Sequence, residues 1–134
     1  MITILYLDDS PYRLDAWRSI CSWSILVSTA KQCINQLKNK EFDVISLDHD
    51  LEGKQMPPEH PNTGSEVVRW IIEKRPPIKL IVLHNSRANR RKTMKRDLER
   101  AGYKVMEGWA KAKEYPSFAK LFWQKITKEL GNES

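Results

Sequence analysis

Five apolar runs alternating with five helical segments predict an α/β domain: a five-stranded, doubly wound parallel sheet, strand order 2-1-3-4-5, with helices on both faces. The runs are Ile2–Leu7, Ser24–Ser28, Phe42–Leu47, Ile78–Leu83 and Tyr103–Glu107, apolar and β-branched enough to suggest central strands covered on both faces. Between them lie segments with apolar residues at helical spacing and recognisable starts and stops. Runs one and three both end in acids, Asp8-Asp9 and Asp48-His49-Asp50. The 2-1-3-4-5 order brings those two ends together at the ligand crevice.

The elements follow in order. After the first strand, Ser10-Pro11 sets a capping hydroxyl before a proline at the first helical position, and Leu14 and Trp17 mark the inner face. After the second, Thr29 with Gln32 reads as a capping box, followed by Ala30, Cys33, Ile34 and Leu37. The third strand leads into Leu51–Asn62, a polar loop with Gly53, Pro57, Pro58 and Pro61 and no apolar period; lid and surface insertion are equal readings of it. Thr63 with Glu66 repeats the box before Val67, Trp70 and Ile71. The fourth strand ends in His84-Asn85-Ser86 and precedes a basic helix whose inner stripe is Met94, Leu98 and Ala101, with Gly102 as terminator. Ser117 opens the last helix, with Phe118, Leu121, Phe122 and Ile126 inward and Gly131 at its end.

Length and composition narrow the function classes. The 134 residues suit one domain, 1–134, with a sizeable core. No stretch of about 18 uncharged apolar residues exists, so no membrane helix is expected. The N-terminus enters a strand at once, which leaves no room for a signal peptide. Two cysteines, Cys21 and Cys33, fit reduced core packing and a cytoplasmic protein. The net charge of +6 is uneven: residues 1–67 carry 6 Lys/Arg against 10 Asp/Glu, and residues 68–134 carry 17 against 7. An acidic cluster facing a basic half suits a metal with a polyanionic ligand; a solvated basic surface is the bland alternative.

Carboxylates at buried strand ends lose hydration and repel one another, and a bound cation relieves both costs. Asp8, Asp9 and Asp48 are the expected ligands of a divalent ion, Mg2+ first and Mn2+ if a histidine joins the shell. Asp50, two residues beyond Asp48, would share its face. His84, at the fourth strand end, should sit beside Asp48, where an imidazole can act as general acid or activate water. His49 should point to the other face and read as structural. Phosphate oxygens would be met by Asn85, Ser86 and Asn89, by Arg87, Arg90, Arg91 and Lys92 in the first turns of the basic helix, and by Arg13. Basic side chains at a helix N-terminus oppose the macrodipole, so an anion explains them better than local stability does.

With these residues in view, the chain resembles the receiver domains of two-component response regulators over almost its whole length, which implies a flavodoxin/receiver-like fold. By that likeness Asp48 matches the phosphoacceptor, and Asp8 and Asp9 match the Mg2+-binding acids. Two departures speak against phosphorelay switching. A receiver has Ser or Thr where this chain has His84, and Lys-Pro where it reads Glu107-Gly108-Trp109-Ala110-Lys111. The sequence is more closely similar to the divergent group called cyclic-phosphate processing receiver domains. Leu47-Asp48-His49-Asp50-Leu51 looks like that group's strand-3 motif, and Thr63-Gly64 leading to Trp70-Ile71 its third helix. His84, Met94 and Ala101-Gly102-Tyr103 resemble its strand-4 region, with Asn85 and Asn89 both candidates for the asparagine that follows the histidine.

The function expected is that of a metal-dependent phosphodiesterase-like hydrolase, hydrolysing or binding a cyclic phosphate, either a cyclic nucleotide or a cyclic-phosphate-ended RNA. In it a divalent ion on Asp8, Asp9 and Asp48, with Asp50 as a further candidate ligand, polarises the phosphoryl group and activates the attacking water, or Asp48 attacks directly; His84 protonates the leaving oxygen. The rivals are a phosphoaccepting receiver and a catalytically silent module that binds nucleotide, RNA or protein. A phosphate-containing small molecule or RNA end is the expected partner, no membrane is, and a partner protein is not indicated.

Overall fold

The computed structural model describes residues 2–108 and 117–131, with the side chains of residues 117 and 118 left aside. Five strands and five helices alternate: β1 (Ile4–Leu7), α1 (Pro11–Ile20), β2 (Ile25–Val27), α2 (Ala30–Asn39), β3 (Val44–Leu47), α3 (Gly64–Lys74), β4 (Leu80–Leu83), α4 (Ala88–Arg100), β5 (Val105–Glu107) and α5 (Ser117–Gly131). The sheet is parallel throughout, in the order β2-β1-β3-β4-β5. Local signals place the helices as expected. Ser10 accepts a hydrogen bond from Arg13 N with Pro11 opening α1, Thr29 caps α2 and Thr63 caps α3. Neither capping box closes in the reciprocal form. Gln32 Oε1 accepts from Ser28 N, one residue early, and Glu66 turns to Arg69 instead. Gly102, at φ 97, ends α4, a left-handed turn that glycine makes without a Cβ clash.

Alternation along the strands divides the interior in two. Leu5, Leu7, Ile45, Leu47, Ile81 and Leu83 pack against α2, α3 and α4 through Cys33, Leu37, Val67, Ile71, Met94 and Leu98. Ile4, Tyr6, Val44, Leu80 and Val82 pack against α1 and α5 through Trp17, Ala119, Phe122 and Ile126. Two expectations need correcting. Only β1, β3 and β4 are buried along their whole length; β2 and β5 are the sheet edges and stay half-exposed. Leu121 is 60% exposed, because the inward stripe of α5 runs Ala119–Phe122–Ile126 and leaves residue 121 about 100° off it. Phe118 and Lys111, also weighed from the sequence, lie outside the described side chains. No helix among the described residues is long and apolar enough to cross a membrane.

Strand register positions the site. Leu7, Leu47 and Leu83 form one row across the sheet, flanked by Val27 and Glu107. One step further, Asp8 N donates to Val27 O, Asp48 N to Leu7 O and His84 N to Leu47 O. Asp8, Asp48 and His84 are therefore neighbours in the next row, and alternation turns all three toward the α1/α5 side.

Candidate functional site

The three residues of that row are buried, Asp48 at 6% exposure and His84 at 4%. One ligand atom from each lies within 4.8 Å of the others. Asp8 is the hub. Its Oδ2 accepts from Arg13 Nε at 2.6 Å and from His84 Nε2 at 3.1 Å, and its Oδ1 from Arg13 Nη2 and Ser10 N. Asp48 uses Oδ1 to accept from His49 N at 2.7 Å, while its Oδ2 is 3.6 Å from Arg13 Nη2. Because the Asp8 carboxylate accepts, His84 Nε2 carries a proton, and its Nδ1 meets Ser46 Oγ at 2.7 Å. Tyr6 stacks on the imidazole at 4.7 Å between centroids, and Phe122 meets it edge-on. The ring is fixed on every side.

Electrostatics separate the two acids. Burial opposes ionisation of Asp8, but the His84 and Arg13 hydrogen bonds and charges outweigh it and hold the carboxyl well below the usual range. Asp48 is pushed up to about 7, chiefly by burial, with the Asp8 charge adding and His84 and Arg13 opposing. Asp48 thus lacks enough positive charge of its own, and a hard cation fits the donor set on that observation. Asp8 and Asp48, with His84, are the groups brought close enough to hold it.

A cleft of about 300 Å³ opens above this row, lined by Asp9, Arg13, Asp48, Asp50, Gly53, Lys54, Gln55, Ser86 and Arg87. Its outer wall is the loop 51–62. Asp9 Oδ2 accepts from Gly53 N, and Asp50 Oδ1 from Met56 N and Arg87 Nη1. His49 faces away, as its alternation requires: Nε2–H donates to Met56 O and Nδ1 meets Ser65 Oγ, with burial holding its pKa down. Gly64 seats α3 against this strand end. Its N donates to His49 O, and a Cβ there would overlap the Asp48 carbonyl oxygen.

The structure gathers Arg13, Ser86 and Arg87 on the cleft and keeps other anticipated residues off it. Asn85 is buried, its Nδ2 on Arg87 O and its Oδ1 without a hydrogen-bond partner among the described residues. Asn89 is exposed and its Oδ1 accepts from Arg90 N. Arg91 holds Glu107 and Asn85 O, and so ties α4 to the end of β5. Ser46, Lys54, Gln55 and Gly64 carry parts of the site that residue types alone did not single out. For Ser46 the signal was there: one polar residue inside an apolar run, in line with Asp48.

Comparison with known proteins agrees with this geometry. Residues 3–100 match the sequence model of the family described as cyclic-phosphate processing receiver domain. No curated protein matched the chain. Among solved structures, a CheY-like response regulator receiver domain from Methanospirillum hungatei is 18% identical, with TM-score 0.68 over 98% of this chain and 95% of that one. The response regulator TrrA of Thermotoga maritima, solved in complex with Mg2+-BeF, is 19% identical, with TM-score 0.64 over 96% and 98%. A chemotaxis response regulator of Vibrio cholerae is 16% identical, with TM-score 0.60 over 94% and 98%. These likenesses establish the receiver fold.

Proposed function

The chain belongs to the cyclic-phosphate processing receiver domains, and on that footing we propose that it performs divalent-ion-assisted phosphoryl chemistry at Asp48. The observation that carries the reading is the buried row Asp8–Asp48–His84 beneath a cleft walled by Arg13 and Arg87. A bound Mg2+ or Mn2+ would neutralise the acid pair and draw charge from the phosphoryl group. Asp48 and Asp8 would hold it, with water and phosphate oxygens completing the set.

The substrate class we infer is a cyclic phosphate. Asp48 Oδ2, the oxygen on the Arg13 side, attacks phosphorus; the Oδ2–P bond forms and the ring P–O bond breaks. The departing oxygen takes a proton, for which His84, in the same buried row, is our candidate donor. Water then splits the acyl phosphate, which restores Asp48 and releases a phosphomonoester. Arg13 steadies the anionic oxygens throughout, and Asp50 keeps Arg87 on the cleft wall.

Acceptance of a phosphoryl group on Asp48 with no ring to open is the second reading. The fold and the place of Asp48 at the carboxyl end of β3 favour it, and it uses the same attack. The basic residues of α4 favour an RNA end over a small nucleotide as the carrier of the phosphate. The buried, unpaired Cys21 and Cys33 suit the cytoplasm. One incubation separates the readings: protein with Mg2+ or Mn2+ and a panel of cyclic nucleotides, cyclic-ended RNAs and acetyl phosphate. Ring opening supports the first reading and acid-stable mass gain from acetyl phosphate alone fails it; stable labelling of Asp48 by acetyl phosphate supports the second. Binding without either leaves a sequestering module, and no binding rejects both.

A further inference from the structure

We infer that Lys54 is a phosphate-contacting residue of this cleft, brought there by the loop 51–62. The inference rests on the reading of the Asp48 cleft as a phosphate site and adds a residue to it.

The loop is polar and aperiodic, which by itself suggests a surface insertion. It is instead pinned at the two positions that flank Lys54 and Gln55. On one side Gly53, at φ +72, turns the chain so that its N–H reaches Asp9 Oδ2 at 2.9 Å. On the other, Met56 N donates to Asp50 Oδ1 at 2.8 Å, while Met56 O accepts from Arg87 Nη1 and His49 Nε2 at 3.1 Å each. The Met56 side chain is buried and holds that anchor from below. Two residues between two such anchors have little freedom, and both line the cleft with Asp48. Further along, Arg69 Nη1 holds Pro58 O and Asn62 Oδ1 caps Ala30 N, so the loop returns to the body of the fold at each end.

Charge gives the position its meaning. Arg13 is engaged by Asp8 and Arg87 by Asp50, so both are partly neutralised before any ligand arrives. Among the described residues, no carboxylate lies in ion-pair range of Lys54. Two acids that line the cleft with it are already bonded, Asp9 to Gly53 N and Asp50 to Met56 N and Arg87. A lysine is a compact charge on a flexible four-carbon stem and adapts to a phosphate oxygen without fixed geometry. An exposed lysine without an ion pair among the described residues, on a short anchored segment that lines the cleft with Asp48, is a cation available to an anionic ligand.

The test uses the full chain and isothermal titration with Mg2+, then with 2′,3′-cyclic AMP or inorganic phosphate in the presence of Mg2+. Lys54→Gln should weaken anion binding by about tenfold or more, Lys54→Arg should bind within about threefold of wild type, and Lys38→Gln, at the far end of α2, should bind as wild type does. Mg2+ affinity should be unchanged or higher in Lys54→Gln, because a cation has left the neighbourhood of an acid cluster. Equal anion binding by wild type and Lys54→Gln overturns this inference and leaves the Asp48 reading standing. Equal loss in Lys54→Gln and Lys38→Gln reduces the effect to net charge and also overturns it. Failure of wild type to bind either anion overturns the inference together with the reading beneath it.

Discussion

Replacing Asp48 by Asn should stabilise the metal-free protein at alkaline pH. In the folded chain burial pushes the Asp48 carboxyl up to about 7 from an ordinary 3.8. A raised folded-state value means that the protonated acid favours folding. That contribution is complete below about pH 3.8 and is lost as pH rises through 7. At about 1.4 kcal/mol per pH unit, the ionised group costs on the order of a few kcal/mol at pH 8. Asn keeps the acceptor for His49 N and does not ionise, and the raised value already includes the attraction to Arg13, so a net gain of about 2 kcal/mol or more is expected at pH 8. Asp8, held low, contributes stability that disappears only as pH falls below its ordinary range, and so does not vary between pH 5 and 8. His49, held low, gains the folded state stability as pH rises through 6.5, but it does so in both proteins and cancels in the difference. Urea melts in chelator at pH 5, 6.5 and 8 should show the advantage of the variant growing from the first pH to the last. Saturating Mg2+ should then stabilise the wild type and not the variant. A variant less stable than wild type by 1 kcal/mol or more at pH 8 would refute the reasoning and make Asp48 a structural residue.

Three further outcomes follow from the geometry. Gly64→Ala should destabilise the fold by more than about 2 kcal/mol in a denaturant melt, because the new Cβ meets the backbone of Asp48 and not a side chain that can swing aside. His84→Asn should slow ring opening by roughly 10²–10⁴-fold with little change in ligand affinity; an unchanged rate would take His84 out of the mechanism. Converting Lys92, Lys95, Arg96 and Arg100 to Gln together should flatten the salt dependence of RNA binding by a slope of up to about 3. Arg87 and Arg91 are left out of that variant because they also hold backbone at the site, Arg87 on Met56 O and Arg91 on Asn85 O. Equal slopes would make α4 an ordinary solvated face.

What was legible in the sequence, and what was not, divides along a physical line. Asp8, Asp48 and His84 could be placed because each follows an apolar run of defined length, and parallel register in a 2-1-3-4-5 sheet turns such run ends into one row. Leu121 misled because apolarity was read without the angle: residues 119, 122 and 126 already fill the stripe of α5. Asp9 and Asp50 were legible as acids but not as loop anchors, since their partners are the backbone N–H groups of Gly53 and Met56 in a segment with no period. Lys54 was hidden for the same reason. Periodicity locates residues on helices and strands, whereas a pinned loop is located by hydrogen bonds that no residue pattern announces.

The central claim is that Asp48 is the reacting centre of an ion-assisted phosphoryl site. The most direct measurement follows 2′,3′-cyclic AMP by ³¹P NMR with wild type and Asp48→Asn, each with Mg2+ and with chelator. The cyclic resonance should give way to that of a phosphomonoester only with wild type and Mg2+. Ring opening of equal rate in the variant, or in chelator, would contradict the account.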